Sequence, residues 1–250
     1  MDLGNGTLAV GQDDQVTLPF GHMVPDIQVL LARVYPNLEI QFSDLTWLTK
    51  RAILAPTNAV VDDLNIKLLD QLPGERLSYK SFDSVLCSDD VVHYPIEFLN
   101  SLTPAGLPPH NLHLKIGAPV MLLRNLDPPK LCNGTRLTIK RMMPRVLEAT
   151  ILTGRARGED VFIPRIPLVP SDMPFEFKRL QFPVKLSFAM SINKAQGQSL
   201  EVVGLNLAEP VFSHGQLYVG CSRVGNPNNL FIYGPQGKTT NVVYHEALQN

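Results

Sequence analysis

Cysteine is scarce in this chain, and the three present, Cys87, Cys132 and Cys221, lie far apart with no C-x-x-C pair. That spacing argues against a disulfide framework and against a zinc site, and it suits a reducing compartment. Long hydrophobic runs are missing as well. No apolar stretch approaches the ~18 residues of a membrane span, and Met1-Asp2-Leu3-Gly4 lacks a basic and apolar signal segment. The expectation is a soluble chain, not secreted and with no membrane partner, nuclear or alternatively cytoplasmic. Nor is there an excess of positive charge: charged residues make up 18% and the net charge is -1, so any nucleic-acid contact has to be local. The sequence also holds no G-x-x-x-x-G-K-[ST] loop and no apolar strand ending in the acidic pair that would hold magnesium.

Two near matches to phosphate-binding loops fail on context. Gly4-x-Gly6-x-x-Ala9 follows no strand and opens no helical pattern. Gly234-Pro235-Gln236-Gly237-Lys238-Thr239-Thr240 follows a strand-like Leu230-Phe231-Ile232-Tyr233, but its glycines are too close together for the backbone N–H groups to wrap a phosphate.

What is present reads as an ordinary globular chain of 250 residues, able to bury roughly 70–75% of its unfolded surface. Asp26 to Val34 has Ile27, Leu30, Leu31 and Val34 on one helical face and stops at Tyr35-Pro36-Asn37, which reads as a connector. Ala52-Ile53-Leu54-Ala55 is a short apolar strand that runs through Pro56-Thr57-Asn58 into a helix carrying Val60, Val61, Leu64, Leu68 and Leu72, ended by Pro73-Gly74. Thr57 or Asn58 can cap that helix, and Asp63 with Lys67 forms an i,i+4 pair. A strand, a polar turn and a helix N-terminus expose backbone N–H groups to a phosphate; capping alone accounts for the same residues, and both readings stand.

Gly74 to His110 reads as irregular, with Asp89-Asp90 and Pro104, Pro108 and Pro109. His110-x-x-His113 has a metal-like spacing but no third ligand nearby, so a surface or packing role is expected. Thr135 to Lys140, Val146 to Leu152 and Val161 to Leu168 read as short strands joined by Gly154 and Gly158 turns, the pattern of a small antiparallel barrel. Arg136, Lys140, Arg141, Arg145, Arg155, Arg157 and Arg165 make this the most basic part of the chain, either a solvated face or a DNA groove.

The stretch from Leu186 to Leu200 organises the rest. It enters as a strand and breaks into a polar turn, Asn193-Lys194-Ala195-Gln196-Gly197-Gln198. A strand over Val202 to Leu207 follows, then a helix over Ser213 to Val224, with Ser213 and Gln216 at capping-box spacing and Leu217, Tyr218 and Cys221 as one apolar stripe. Arg223 lies in the last turn and Gly225 ends it.

Ala189-Met190-Ser191-Ile192-Asn193-Lys194-Ala195-Gln196-Gly197-Gln198-Ser199, followed by Leu217-Tyr218-Val219-Gly220-Cys221-Ser222-Arg223-Val224, resembles the last two motifs of the Pif family of DNA helicases, relatives of RecD in superfamily one, type B. Leu54-Ala55-Pro56-Thr57-Asn58 with Val61 and Asn65 is similar to the motif that opens that family's second RecA-like domain. Leu114 to Asn125 with Leu131 to Leu137 is similar to its inserted barrel of Src-homology type. Ala195 stands where the family usually has serine, and Gly220-Cys221 where it usually has alanine and leucine.

The resemblance covers most of residues 50 to 245 and implies an α/β fold: a RecA-like, P-loop-NTPase-type second helicase domain with a small inserted β-barrel. On that basis residues 1–49 are the tail of a first RecA-like domain and a connector, 50–113 and 181–250 are the two parts of the second RecA-like domain, and 114–180 are the barrel. The implied function is the C-terminal portion of an ATP-dependent 5′-to-3′ DNA helicase. Arg223 is implied as the arginine finger that stabilises charge on the transferring phosphoryl. Gly197, which lets the backbone approach closely, and Gln198, which can bond a phosphate or ribose oxygen, are implied with Arg223 as nucleotide contacts. Pro56, Thr57, Asn58, Ser191, Asn193, Lys194 and Gln196 are implied to face single-stranded DNA. ATP and Mg2+ would be held mainly by a first RecA-like domain, the partner that this sequence does not show. Hydrolysis by this chain alone is therefore not expected, whether it is a fragment, a degenerate copy of the kind left by Helitron-type transposons, or a truncated gene model. The alternative, from another class, is a non-catalytic DNA-binding or interaction module that keeps the helicase fold.

Overall fold

A computed structural model of the chain describes residues 2–9, 11, 15–86, 93–171, 173–244 and 246. Cys87, Asp89 and Asp90 lie outside the described residues. In chain order the strands are β1 His22–Met23, β2 Arg51–Ala55, β3 Leu77–Lys80, β4 Phe82–Val85, β5 Asn111–Leu114, β6 Pro119–Leu122, β7 Arg136–Met142, β8 Val146–Ile151, β9 Asp160–Pro164, β10 Ile166–Leu168, β11 Phe177–Gln181, β12 Val184–Leu186, β13 Ala189–Ser191, β14 Val202–Asn206 and β15 Leu230–Tyr233. The α-helices are α1 Asp2–Asn5, α2 Ile27–Val34, α3 Leu38–Gln41, α4 Leu45–Thr49, α5 Asn58–Gln71, α6 Ile96–Ser101 and α7 Gln216–Cys221. The chain forms two compact units, Met1–Gln71 with Phe188–Asn250, and Leu72–Ser187.

The first unit is built on a parallel sheet in the order β1-β15-β14-β2-β13. Its inner strands are mostly apolar: Ala52 to Ala55 and Val203 to Leu207 are all buried, Asn206 being the one polar residue among them, as expected of a parallel sheet covered on both faces. The helix read as a connector is integral to this unit. Asp26 caps α2 through a 2.8 Å bond from the Val29 N–H, and Leu30, Leu31 and Val34 are buried. A Cβ on Gly204 in β14 would meet Val34 Cγ2 at 2.6 Å, so this glycine sets how closely helix and strand approach.

Across the sheet, α5 buries Val61, Leu64, Asn65, Leu68 and Leu69. Asn65 is the one amide in that stripe, and it pairs with β13 twice: its Nδ2 donates to Ala189 O at 3.0 Å and its Oδ1 accepts from Ala189 N at 2.9 Å. Asn65→Ala leaves both backbone groups of Ala189 without that partner in a dry position. A loss of about 1–3 kcal/mol is expected, measured as a lower urea midpoint with circular dichroism.

The second unit is antiparallel. A five-stranded sheet runs β12-β6-β7-β8-β9, a three-stranded sheet β10-β11-β4, and β3 pairs with β5. The three expected strands appear as β7, β8 and the pair β9 and β10, which break at Arg165. The segment before them is more ordered than its sequence suggests, since β3, β4 and α6 all fall in the stretch read as irregular. Polar residues occupy its inward positions, with Ser81 and Asp83 buried beside Tyr79, so hydropathy gives no alternating signal there. The compact unit accordingly begins at Leu72 and is wider than the expected 114–180 insert, because β4 and β5 find their partners inside it.

Two expected elements come out shorter. The strand around Leu186 to Met190 splits into β12, which pairs with β6 in the second unit, and β13, which pairs with β2 in the first. The helix expected over Ser213 to Val224 is only α7, from Gln216 to Cys221. Gly215 at φ +68° opens it in the left-handed region, which glycine enters without strain, and Ser222 caps its end. The capping box does not form as spaced: the Gln216 side chain accepts from the Phe212 N–H at 3.1 Å. In the expected apolar stripe Leu217 and Cys221 are buried, whereas Tyr218 is 47% exposed.

Candidate functional site

In a parallel sheet every strand ends on the same edge, so groups that follow strand C-termini gather there. Ser191 at the end of β13 pairs in register with Ala55 at the end of β2, and Leu205 of β14 pairs with Leu54. Pro56, Thr57 and Asn58 leave this edge into α5, Pro56 buried, Thr57 half-buried and Asn58 exposed. Asn58 is the first residue of α5. The Thr57 hydroxyl donates to Glu209 Oε2 at 2.7 Å, and the Thr57 carbonyl accepts from the Val61 N–H at 3.3 Å.

After β13 the chain makes a 3-10 turn over Ile192–Ala195. With three residues per turn, positions i and i+3 share a face. Ile192 and Ala195 are thus both buried, and Asn193 and Lys194 are left exposed beside the strand edge. Gln196 and Gly197 are also exposed; Gly197 has φ +78° and no atom within 4 Å of a Cβ placed on it. Gln198 folds back on the turn, its N–H donating to Ala195 O at 3.0 Å and its Nε2 to Lys194 O at 3.3 Å.

Arg223 lies against this turn. Its Nη1 donates to Gln198 O at 3.3 Å, its Nε to Val219 O at 2.9 Å and its Nη2 to Ser222 Oγ at 2.8 Å. All three acceptors are neutral, the group is half-buried, and among the described residues no carboxylate pairs with it. The adjoining backbone is stapled as well, Leu200 N donating to Arg223 O at 2.9 Å. A guanidinium held by neutral acceptors keeps its charge available to an anion. The helix behind it is closely packed: a Cβ on Gly220 would meet Leu205 Cδ1 at 3.0 Å, and burial pushes the Cys221 thiol up to about 12, which keeps it protonated and unreactive.

The structure therefore assembles two clusters on the first unit: Pro56, Thr57, Asn58 and Ser191 at the strand edge, and Gly197, Gln198 and Arg223 around the turn, with Asn193, Lys194 and Gln196 exposed between them in sequence. Sequence reasoning missed two residues here. Phe212, 60% exposed in the loop after β14, is an aromatic ring standing open to solvent, and Gln216 joins its backbone to the strand edge by donating to Pro56 O at 3.4 Å. The signal for Phe212 was an apolar residue outside any periodic pattern.

In the basic set of the second unit Arg145, Arg155 and Arg157 are exposed, whereas the other four have partners within the unit. Arg136 is fully buried and donates to Ser187 O at 3.2 Å. Lys140 pairs with Asp160 and Glu148, and Arg141 approaches Glu148 at 3.5 Å. The Arg165 guanidinium lies 5.0 Å from the Phe182 ring centre, and its Nη1 donates to Lys80 O at 2.7 Å. His110 contacts Ser81 at 2.8 Å and His113 contacts Ser78 at 2.6 Å, so the Nδ1 of each histidine has its own serine partner. Among the described residues no group of three possible metal ligands occurs, and no helix is long and apolar enough to cross a membrane.

The family profile described as "DNA helicase Pif1, 2B domain" matches residues 97–142, within the second unit. The chain is similar to the ATP-dependent DNA helicase PIF1 of Xenopus laevis, 33% identical over 173 residues, covering 69% of this chain and 26% of that protein. It is also similar to the ATP-dependent DNA helicase Pif1 of Campylobacter jejuni, 26% identical over 212 residues, covering 80% of this chain and 46% of the relative. The chain thus spans less than half the length of either. Among solved structures it shares its fold with Pif1 helicase from Candida albicans, at a TM-score of 0.59 and 20% identity over 89% of this chain and 57% of that one. A second likeness is to Pif1 helicase from Bacteroides in complex with ADP-AlF3 and ssDNA, at a TM-score of 0.58 and 20% identity over 88% of this chain and 47% of that one.

Proposed function

We propose that this chain, a Pif1-family relative that carries the 2B domain, acts as the C-terminal portion of an ATP-dependent 5′-to-3′ DNA helicase, presenting an arginine finger and single-strand contacts to a first RecA-like domain. The observation that carries the reading is the half-buried Arg223 guanidinium, held beside the Gln196-Gly197-Gln198 turn by three neutral acceptors and, among the described residues, paired with no carboxylate. A group poised in that way can complete a phosphate site opposite a P-loop without first giving up an ion pair. Gly197 leaves open space at the turn for a nucleotide to approach, and the Gln198 side chain lies beside it.

On the strand edge, Thr57, Asn58, Ser191, Asn193 and Lys194 offer hydroxyl, amide and ammonium groups to a DNA backbone, and Phe212 offers a ring on which a base can stack. Relatives in the comparison are ATP-dependent, and one neighbour's structure holds ADP-AlF3 with single-stranded DNA, which supports ATP and a single strand as the ligands. The P-loop domain would bind Mg2+ and the triphosphate; this chain's residues would sense the γ-phosphate and the strand.

The test is reconstitution. Mixed with or fused to a first RecA-like domain bearing a P-loop, the chain is expected to raise oligo-dT-stimulated ATP hydrolysis at least tenfold over that domain alone, an effect of about 1.4 kcal/mol on the barrier. Hydrolysis no faster than that of the isolated first domain, with oligo-dT still bound by the mixture, would leave the non-catalytic DNA-binding module as the better reading.

A further inference from the structure

Gln216 is a buried amide, 2% exposed, whose environment the site chemistry does not use. It is the first residue of α7, and both ends of its side chain are engaged: Oε1 accepts from the Phe212 N–H at 3.1 Å, and Nε2 donates to Pro56 O at 3.4 Å. One end of a six-residue helix is therefore tied to the loop that leaves β2 and to the loop that carries the exposed phenylalanine. The other end of the same helix holds Arg223, through the 2.9 Å bond from its Nε to Val219 O. Val219 N in turn donates to Gly215 O at 2.9 Å, so a path of hydrogen bonds joined by short backbone links runs from Pro56 through Gln216 and α7 to the guanidinium and on to Gln198 O.

We infer that Gln216 is a positioning residue that transmits strand occupancy at the Pro56–Asn58 and Phe212 edge to the orientation of Arg223. The inference rests on the reading above that this edge faces single-stranded DNA. The physical argument is stiffness. The helix is short and hydrogen-bonded, and it packs so close to β14 that a Cβ on Gly220 would stand 3.0 Å from Leu205 Cδ1, so it moves as a body rather than bending. Displacement at its first turn then appears at its last. A single amide that serves the edge loop with its donor and the Phe212 loop with its acceptor converts movement of either loop into movement of the helix. The 3-10 turn between Ser191 and Gln198 offers a second route between the same two clusters, and the experiment has to separate them.

The chain itself, without a partner domain, is sufficient for the test. Arginine Nε–H resonances of 15N-labelled protein are followed while oligo-dT is added, with Arg223 assigned by its loss in Arg223→Lys. The wild type is expected to show the Arg223 resonance moving with strand occupancy. Gln216→Met, which keeps length and apolar volume but removes both bonds, is expected to bind oligo-dT within about threefold of the wild type and to leave that resonance still. Gln216→Glu keeps the acceptor for Phe212 and deletes the donor to Pro56; it is expected to give the same silence and serves as the readout should the methionine variant lose its fold. A resonance that still moves in a folded variant would assign transmission to the 3-10 turn and overturn the role of Gln216. A resonance that stays still in wild-type protein that binds oligo-dT would overturn it equally, with the DNA-facing reading intact. No oligo-dT binding by the wild type would remove the reading and this inference together.

Discussion

Replacing Arg223 by alanine is expected to lower DNA-stimulated ATP hydrolysis of the reconstituted pair by about 10³–10⁵-fold, the range measured for arginine fingers in phosphoryl transfer. That corresponds to about 4–7 kcal/mol of lost transition-state stabilisation. The size follows from where charge develops: the transferring group spreads negative charge over its equatorial oxygens, and a planar guanidinium can meet two of them at once. Oligo-dT affinity should change far less, because the strand-edge groups Thr57, Asn58 and Ser191 are elsewhere on the sheet. Arg223→Lys retains the charge and loses the fork, so it is expected to recover only part of the rate. A single-turnover measurement at saturating ATP separates these effects from binding. Equal rates for Arg223→Ala and wild type would mean that the guanidinium merely closes the end of α7 through Val219 O and Ser222 Oγ.

The largest stability effect is expected far from that chemistry, in the second unit. Arg179 in β11 and Asp83 in β4 face each other in register, both side chains at 0% exposure, with Arg179 Nη2 and Asp83 Oδ2 2.7 Å apart. Arg179 Nε donates to both Asp83 oxygens at 3.1 Å, and the remaining donors reach the carbonyls of Leu99, Leu102 and Pro108 at 2.9–3.1 Å. Ser81 donates to Asp83 Oδ1 at 2.6 Å, so the carboxylate is satisfied by more than its ion pair. One guanidinium thereby fastens β4 to α6 and the proline-rich loop, whose residues Leu99, Leu102 and Pro108 fall within the segment that matches the 2B profile.

Asp83→Ala strands a buried cation and is expected to cost about 3–5 kcal/mol, visible as a lower urea midpoint and lost amide protection in β4 and β11. The double replacement Asp83→Leu with Arg179→Met removes both charges and should cost clearly less than the single change, since desolvation is relieved along with attraction. A single variant as stable as wild type would show that water reaches Arg179 and that the pair is not dry.

Local patterns carried much of this structure. The amphipathic run from Asp26 to Val34 gave α2, and Ala52 to Asn58 gave a strand, a turn and the start of α5, because each depends on residues within a few positions of one another. The same holds for the turn after β13, whose glycine and amides are contiguous. Where the reading fell short, the deciding contacts were distant. Arg136 looked like a surface cation because an arginine is ordinarily solvated, and only the pairing of β7 with β6 and β8 turns it inward to Ser187. Gly74 to His110 looked irregular because polar side chains such as Ser81 and Asp83 take buried positions there, and Asp83 finds Arg179 across a separation of 96 residues.

By itself, then, the order of residues determined part of the local vocabulary of this protein: the strands and helices whose apolar residues keep a period, where glycine must turn the chain, and that the closing motifs resemble those of Pif helicases. Tertiary structure alone decided which polar groups are withdrawn and which are offered. Burial and pairing consumed Arg136, Arg165 and Arg179, whereas parallel strand ends brought Ala55 level with Ser191 and the end of α7 set Arg223 against Gln198. The reason is that hydrogen bonding and desolvation depend on what lies within a few ångströms in space, and strand register, rather than adjacency in the chain, sets those neighbours.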